Sequence, residues 1–142
     1  MDVDAVLAMA AATKRDRDAW AALEYLRTTV QVGKLDRRTP PQQLRRLSEA
    51  LAEQYAELKM HAEAAAVRQQ PLMLPRRSMA AGEAATALAA LATDLYLSHQ
   101  FEEALAAIGE IWTLRAQLPD AAVAVLLRLE STVMVCNRPH TG

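Results

Sequence analysis

Apolar residues return every three or four positions along most of the chain, the spacing of helices that each bury one face. The clearest stretch is Leu88–Ala116. Leu88, Leu91, Ala92 and Leu95 share a face, Ser98-His99-Gln100 makes a polar turn, and Leu105, Ile108, Ile111 and Trp112 repeat the pattern. Earlier in the chain, Val3, Val6 and Ala10 predict a short helix over residues 2–13, with Asp2 or Asp4 at its positive end. Thr13-Lys14-Arg15-Asp16 reads as a turn. A second helix, from about Arg17 to Val32, is expected to bury Trp20, Leu23, Leu26 and Val30, with Gly33 ending it. Thr39-Pro40-Pro41-Gln42 predicts a capped start to a helix reaching about Leu58, and Met60–Gln70 a shorter one. Pro71 and Pro75 interrupt the pattern, and Ser78 is placed to cap the next helix. A last helix starts near Pro119 or Asp120 and reaches about Cys136. Seven helices and no alternating strand pattern make the expected fold class all-α.

The spacing within each pair of helices carries a resemblance. Leu88, Leu91-Ala92, Leu95 and Ala104 follow the pattern of a tetratricopeptide repeat, a helix hairpin of roughly 34 residues. Leu47, Leu51-Ala52, Tyr55 and Ala64 match it again, Tyr included. A degenerate version puts Val3, Val6, Ala10 and Ala19 in the same slots, with Leu7 where a small residue belongs. The chain thus resembles this family in units at about 45–78 and 85–118, with a weaker one at about 1–33. Ala19 to Ala64 is 45 residues and Ala64 to Ala104 is 40, so the linkers Lys34–Pro41 and Pro71–Arg77 hold the surplus. The resemblance implies an antiparallel helix-hairpin stack with a right-handed superhelical path. It implies a capping last helix, while the chain length suits one domain over 1–136 and the terminal residues 137–142 read as a flexible tail. In this register Val125 takes the Leu slot and Leu129 the Tyr slot of the last helix. That helix, AVAVLLRLESTVMV, is apolar almost all round, whereas a cap is polar outside.

The resemblance also implies function: a non-catalytic protein-interaction module, adaptor or scaffold whose groove is lined by the first helix of each unit. Mapped here, the groove residues are Arg46, Glu49, Glu53 and Glu57, then Thr86, Ala89, Thr93, Tyr96 and Leu97. Glu49, Glu53 and Glu57 form an i, i+4, i+8 ridge, which either receives a basic or amphipathic segment or is a solvated face. The family's carboxylate clamp needs Lys, Arg and Asn in the groove. The matching positions are Asp4, Ala8, Ala50, Thr86 and Ala90, so that ligand class does not fit. On the last helix, Val123, Leu127, Val133 and Met134 are expected to touch a partner or a second copy, because an exposed apolar face of that size marks an interface. The alternative roles are a chaperone dedicated to one client and, behind it, a nucleic-acid-binding helical module.

Composition narrows these roles. The chain has 142 residues, is 52% hydrophobic and carries a formal charge of −1, so nothing drives it in bulk toward nucleic acid or anionic lipid. Arg37-Arg38, Arg45-Arg46 and Arg76-Arg77 sit at or beside links between units, but no aromatic residues interleave with them as stacking platforms would. No apolar run reaches the roughly 20 residues that span a bilayer, and Asp2 and Asp4 stand where a secretory leader is basic. The single Cys136 suits a reducing, cytoplasmic setting. His61, His99 and His140 have no i, i+4 mate, and no Gly-rich phosphate loop or nucleophile elbow occurs. No enzyme, metal site or cofactor is therefore expected.

Overall fold

The computed structural model describes residues 2–75 and 79–136. Among them are seven α-helices and no strand: α1 Val3–Asp16, α2 Ala19–Leu35, α3 Pro41–Glu57, α4 His61–Arg68, α5 Ala81–Leu97, α6 Phe101–Trp112 and α7 Asp120–Cys136. The all-α expectation holds, and consecutive helices pack as hairpins. The chain divides into two compact units, Met1–Met73 and Leu74–Gly142. Arg76, Arg77, Ser78, His140 and the expected tail at 137–142 lie outside the described residues.

In the first unit, α1 starts at Asp2, whose carboxylate accepts from Ala5 N at 3.2 Å. The expected turn at Thr13–Asp16 is helical instead, because the Thr13 hydroxyl donates back to Met9 O at 2.8 Å and the helix runs on. The break falls at Arg17–Asp18. Asp18 then caps α2 by accepting from Ala21 N at 2.7 Å. Gly33 does not end α2: it is buried within the helix, has no positive φ, and Asp36 forms the C-cap. Leu23, Leu26 and Val30 are buried as expected, but Trp20 is 59% exposed and lies off their stripe. Pro41 takes the first turn of α3 with Pro40 as N-cap. The expected Thr39 capping box does not form, and Thr39 Oγ1 is buried without a hydrogen bond.

Leu23, Leu26, Val30, Leu47, Leu51 and Ala52 form the centre of this unit's core. The ion pairs fix helix direction. Asp4 near the start of α1 meets Arg46 early in α3 at 2.8 Å, and Lys14 near the end of α1 meets Glu57 at the end of α3, so α1 and α3 run parallel. Met73, in a 3-10 turn at Pro71–Met73, is buried, and its carbonyl accepts from Arg45 at 3.2 Å. Ser48 is fully buried and its hydroxyl has no partner. An unmet buried polar group costs stability, so Ser48→Ala is expected to stabilise this unit by about 1 kcal/mol, read as a higher urea midpoint at unchanged slope.

The second unit has α5, α6 and α7. Ala80 occupies the N-cap of α5 with no side-chain hydrogen bond. Leu88, Leu91, Ala92 and Leu95 of α5 and Ala104, Ala107, Ile108 and Ile111 of α6 are all buried. Trp112 of α6 donates from Nε1 to Glu130 of α7 at 2.7 Å, and Arg115 lies over its ring at 5.4 Å. The Trp112 bond draws Glu130 against α6. Leu126 and Val133 are buried on the same side of α7.

The hairpins α3–α4 and α5–α6 are the same local structure 40 residues apart. Both first helices have 17 residues and start from an extended N-cap, at φ −61°, ψ 143° for Pro40 and φ −60°, ψ 144° for Ala80. Both turns pass through a left-handed residue at φ 64°, Lys59 in one and His99 in the other. The turn bonds match too: Met60 N to Tyr55 O and Gln100 N to Leu95 O are both 2.8 Å, and Ala64 N to Met60 O and Ala104 N to Gln100 O are both 3.0 Å. Ala52, Ala64, Ala92 and Ala104 are all fully buried, as small residues are where helices approach closely. The α1–α2 link has no left-handed residue.

Candidate functional site

One face of the first helix in each matched hairpin borders a cleft. On α3 the cleft is lined by Arg45, Arg46, Glu49, Ala50 and Glu53, with Leu7 of α1 opposite. On α5 it is lined by Gly82, Ala85, Thr86 and Ala89. Adding 40 to Arg45, Arg46 and Glu49 gives Ala85, Thr86 and Ala89, so the two clefts use one helix face. Their chemistry is opposite.

The α3 cleft is charged, but its charges are engaged. Glu49 accepts from Arg68 of α4 at 2.5 Å, and the Arg68 side chain is 8% exposed. Arg46 pairs with Asp4, and Glu57, one turn beyond, pairs with Lys14 and accepts from Gln54 at 3.2 Å. Of the three ridge carboxylates only Glu53 has no ion pair among the described residues, and it is exposed.

The α5 cleft is apolar. Its far wall is Ala122, Val125, Leu126 and Leu129 of α7, with Leu118 and Pro119 at one end and Ile111 of α6 also in the lining. The cleft holds about 350 Å³ of space, and a Cβ at Gly82 would meet nothing within 4 Å. The single side-chain hydroxyl in the lining, that of Thr86, already donates to Gly82 O at 2.9 Å. Thr93 continues the same face, its hydroxyl bonded to Ala89 O at 2.8 Å. At the far end of the two helices, Cys136 of α7 donates to the Tyr96 hydroxyl across 3.7 Å. That thiol contact raises the Tyr96 phenol above its ordinary value. Gly82 and Ala122 meet near one end and Tyr96 and Cys136 at the other, so α5 and α7 run parallel, like α1 and α3.

The sequence-derived residues divide as follows. Arg46, Glu49 and Glu53 line the α3 cleft; Thr86 and Ala89 line the α5 cleft. Tyr96 is half-buried and Leu97 is exposed. On α7, Leu127 and Met134 are exposed and Val123 is half-buried, but Val133 is fully buried within its own unit and out of a partner's reach. The α7 register also needs correction. Val125, expected in a buried Leu slot, is 59% exposed, and the buried positions are Leu126 and Val133.

Among the described residues no group of three or more His, Cys, Asp or Glu side chains converges as a metal site would require. No described helix is long and apolar enough to cross a membrane. Comparison with family models, curated proteins and solved structures gives no match.

Proposed function

We propose that this chain is a non-catalytic protein-interaction module of tetratricopeptide-repeat type, an adaptor or scaffold, and that its α5/α7 cleft takes an apolar segment of a partner polypeptide. The observation that carries this reading is the pair of matched hairpins, which present one and the same helix face as a cleft. In a repeat of this kind that face lines the binding groove. The parallel runs of α1 with α3 and of α5 with α7 support it further. The lining of the α5 cleft argues for an apolar guest. Each Leu-sized side chain it takes from water gains about 2 kcal/mol before ordering costs, and no unmet polar group penalises the exchange. The lone cysteine supports a reducing, cytoplasmic setting.

The test is to fill the cleft. Peptide-library panning on the full chain is expected to enrich apolar sequences. Ala89→Arg, at a half-buried position on the cleft wall, is expected to weaken them ten-fold or more while circular dichroism stays unchanged. Equal binding to the two proteins overturns the cleft as the site.

A further inference from the structure

The face that α5 turns to the apolar cleft carries short side chains where α3 carries long ones. Gln42, Arg45, Arg46 and Glu49 of α3 correspond to Gly82, Ala85, Thr86 and Ala89 of α5. Gly82 is the extreme case, with no side chain at all. Nothing within the chain calls for a glycine there. Its φ is not in the left-handed region, and a Cβ built on it meets nothing within 4 Å. Gln42 stands at the same second position of a helix that leaves the same extended N-cap, so this backbone carries a full side chain. Glycine is also a poorer helix residue than alanine, because it loses more backbone freedom on folding.

Resting on the cleft reading above, we infer that Gly82 is the specificity-determining position of the α5/α7 cleft, and that the partner segment seats an aromatic side chain against it. Gly82 precedes Thr86 by one turn and Ala89 by two on one helix face, so a side chain at position 82 would project into the same cleft. Its absence keeps open the end where Leu118 and Pro119 lie. A glycine lets a guest group approach the backbone closely. An aromatic ring gains most from that approach. It brings about 150–250 Å² of surface while only two side-chain torsions are fixed. The apolar lining suits Phe and Trp, and the Thr86 oxygen keeps lone pairs that an indole N–H can use. Any side chain added at position 82 takes back the space that the ring fills.

The test couples position 82 to the guest. A displayed peptide library panned on the full chain is expected to enrich apolar peptides with Phe or Trp at one fixed position. The best of them, fluorescein-labelled and read by anisotropy, should bind Gly82→Leu about ten-fold more weakly or worse, and Gly82→Ala a few-fold more weakly. The same peptide with its aromatic residue replaced by Leu should bind the unsubstituted chain several-fold more weakly and lose little more on Gly82→Leu. Gly109→Ala is the control: Gly109 is exposed in α6, a Cβ there also meets nothing within 4 Å, and it lines neither cleft. Both glycine-to-alanine changes should raise the melting temperature, so weaker binding by Gly82→Ala is not lost folding. Enrichment without an aromatic position overturns this inference and keeps the cleft reading. So does binding that Ala89→Arg weakens and Gly82→Leu leaves unchanged, or that Gly109→Ala weakens as much as Gly82→Ala. No enrichment of apolar peptides, or binding indifferent to Ala89→Arg, overturns both.

Discussion

Ile108→Ala is expected to lower the stability of the second unit by about 3 kcal/mol. Ile108 is fully buried in α6 beside Ala104, Ala107 and Ile111, and these three neighbours are alanines or a branched side chain of fixed shape. Little nearby is flexible enough to collapse into the space left by the lost carbons. In a unit of this size each kcal/mol moves the melting temperature by about 4–8 °C, so the drop should exceed about 10 °C. Trp112, held by Glu130 and Arg115, reports the transition by fluorescence in a Trp20→Phe background. A loss below about 1 kcal/mol would mean that the α5–α6 packing relaxes around the cavity.

Glu49→Ala is expected to cost the first unit about 2 kcal/mol. Its partner Arg68 has a side chain only 8% exposed, so removing the carboxylate takes a charge partner from a buried cation. Breaking a fully buried pair costs about 3–5 kcal/mol. The Glu49 side chain is 41% exposed, and water reaching its position recovers part of that loss. Glu49→Gln keeps a hydrogen-bond acceptor and should cost about half as much. Urea titration distinguishes the outcomes. A cost under about 0.5 kcal/mol would put the pair in the class of surface ion pairs and leave the ridge carboxylate available to a ligand.

The hairpins were legible in the sequence because their signals are local. Leu51-Ala52 with Ala64, and Leu91-Ala92 with Ala104, state both the buried face and the crossing point, and the structure buries all six. Helix ends were harder. Thr13–Asp16 looks polar enough for a turn, yet Thr13 closes its own backbone bond and Asp18 is the better cap. Gly33 mimics a stop signal, but nothing at that position needs a left-handed residue. The ridge Glu49, Glu53 and Glu57 was visible as a pattern. That two of its members are tied to Arg68 and Lys14 was not, because those partners come from other helices. The α7 wall of the apolar cleft was hidden for a different reason. A helix apolar nearly all round offers several registers of similar quality, and only its neighbours choose among them.

Thr86 turns its hydroxyl proton back on its own helix, and so the side chains lining the cleft beside it offer a visitor no free hydrogen-bond donor. A surface of that kind sorts guests by girth and contour. Adding or trimming one methylene changes affinity by only about 10- to 200-fold, so discrimination is graded, without the sharp rejection that a buried polar contact imposes. Affinity there should also vary little with ionic strength. A family of related hydrophobic sequences would be admitted in rank order, with one surface serving several of them.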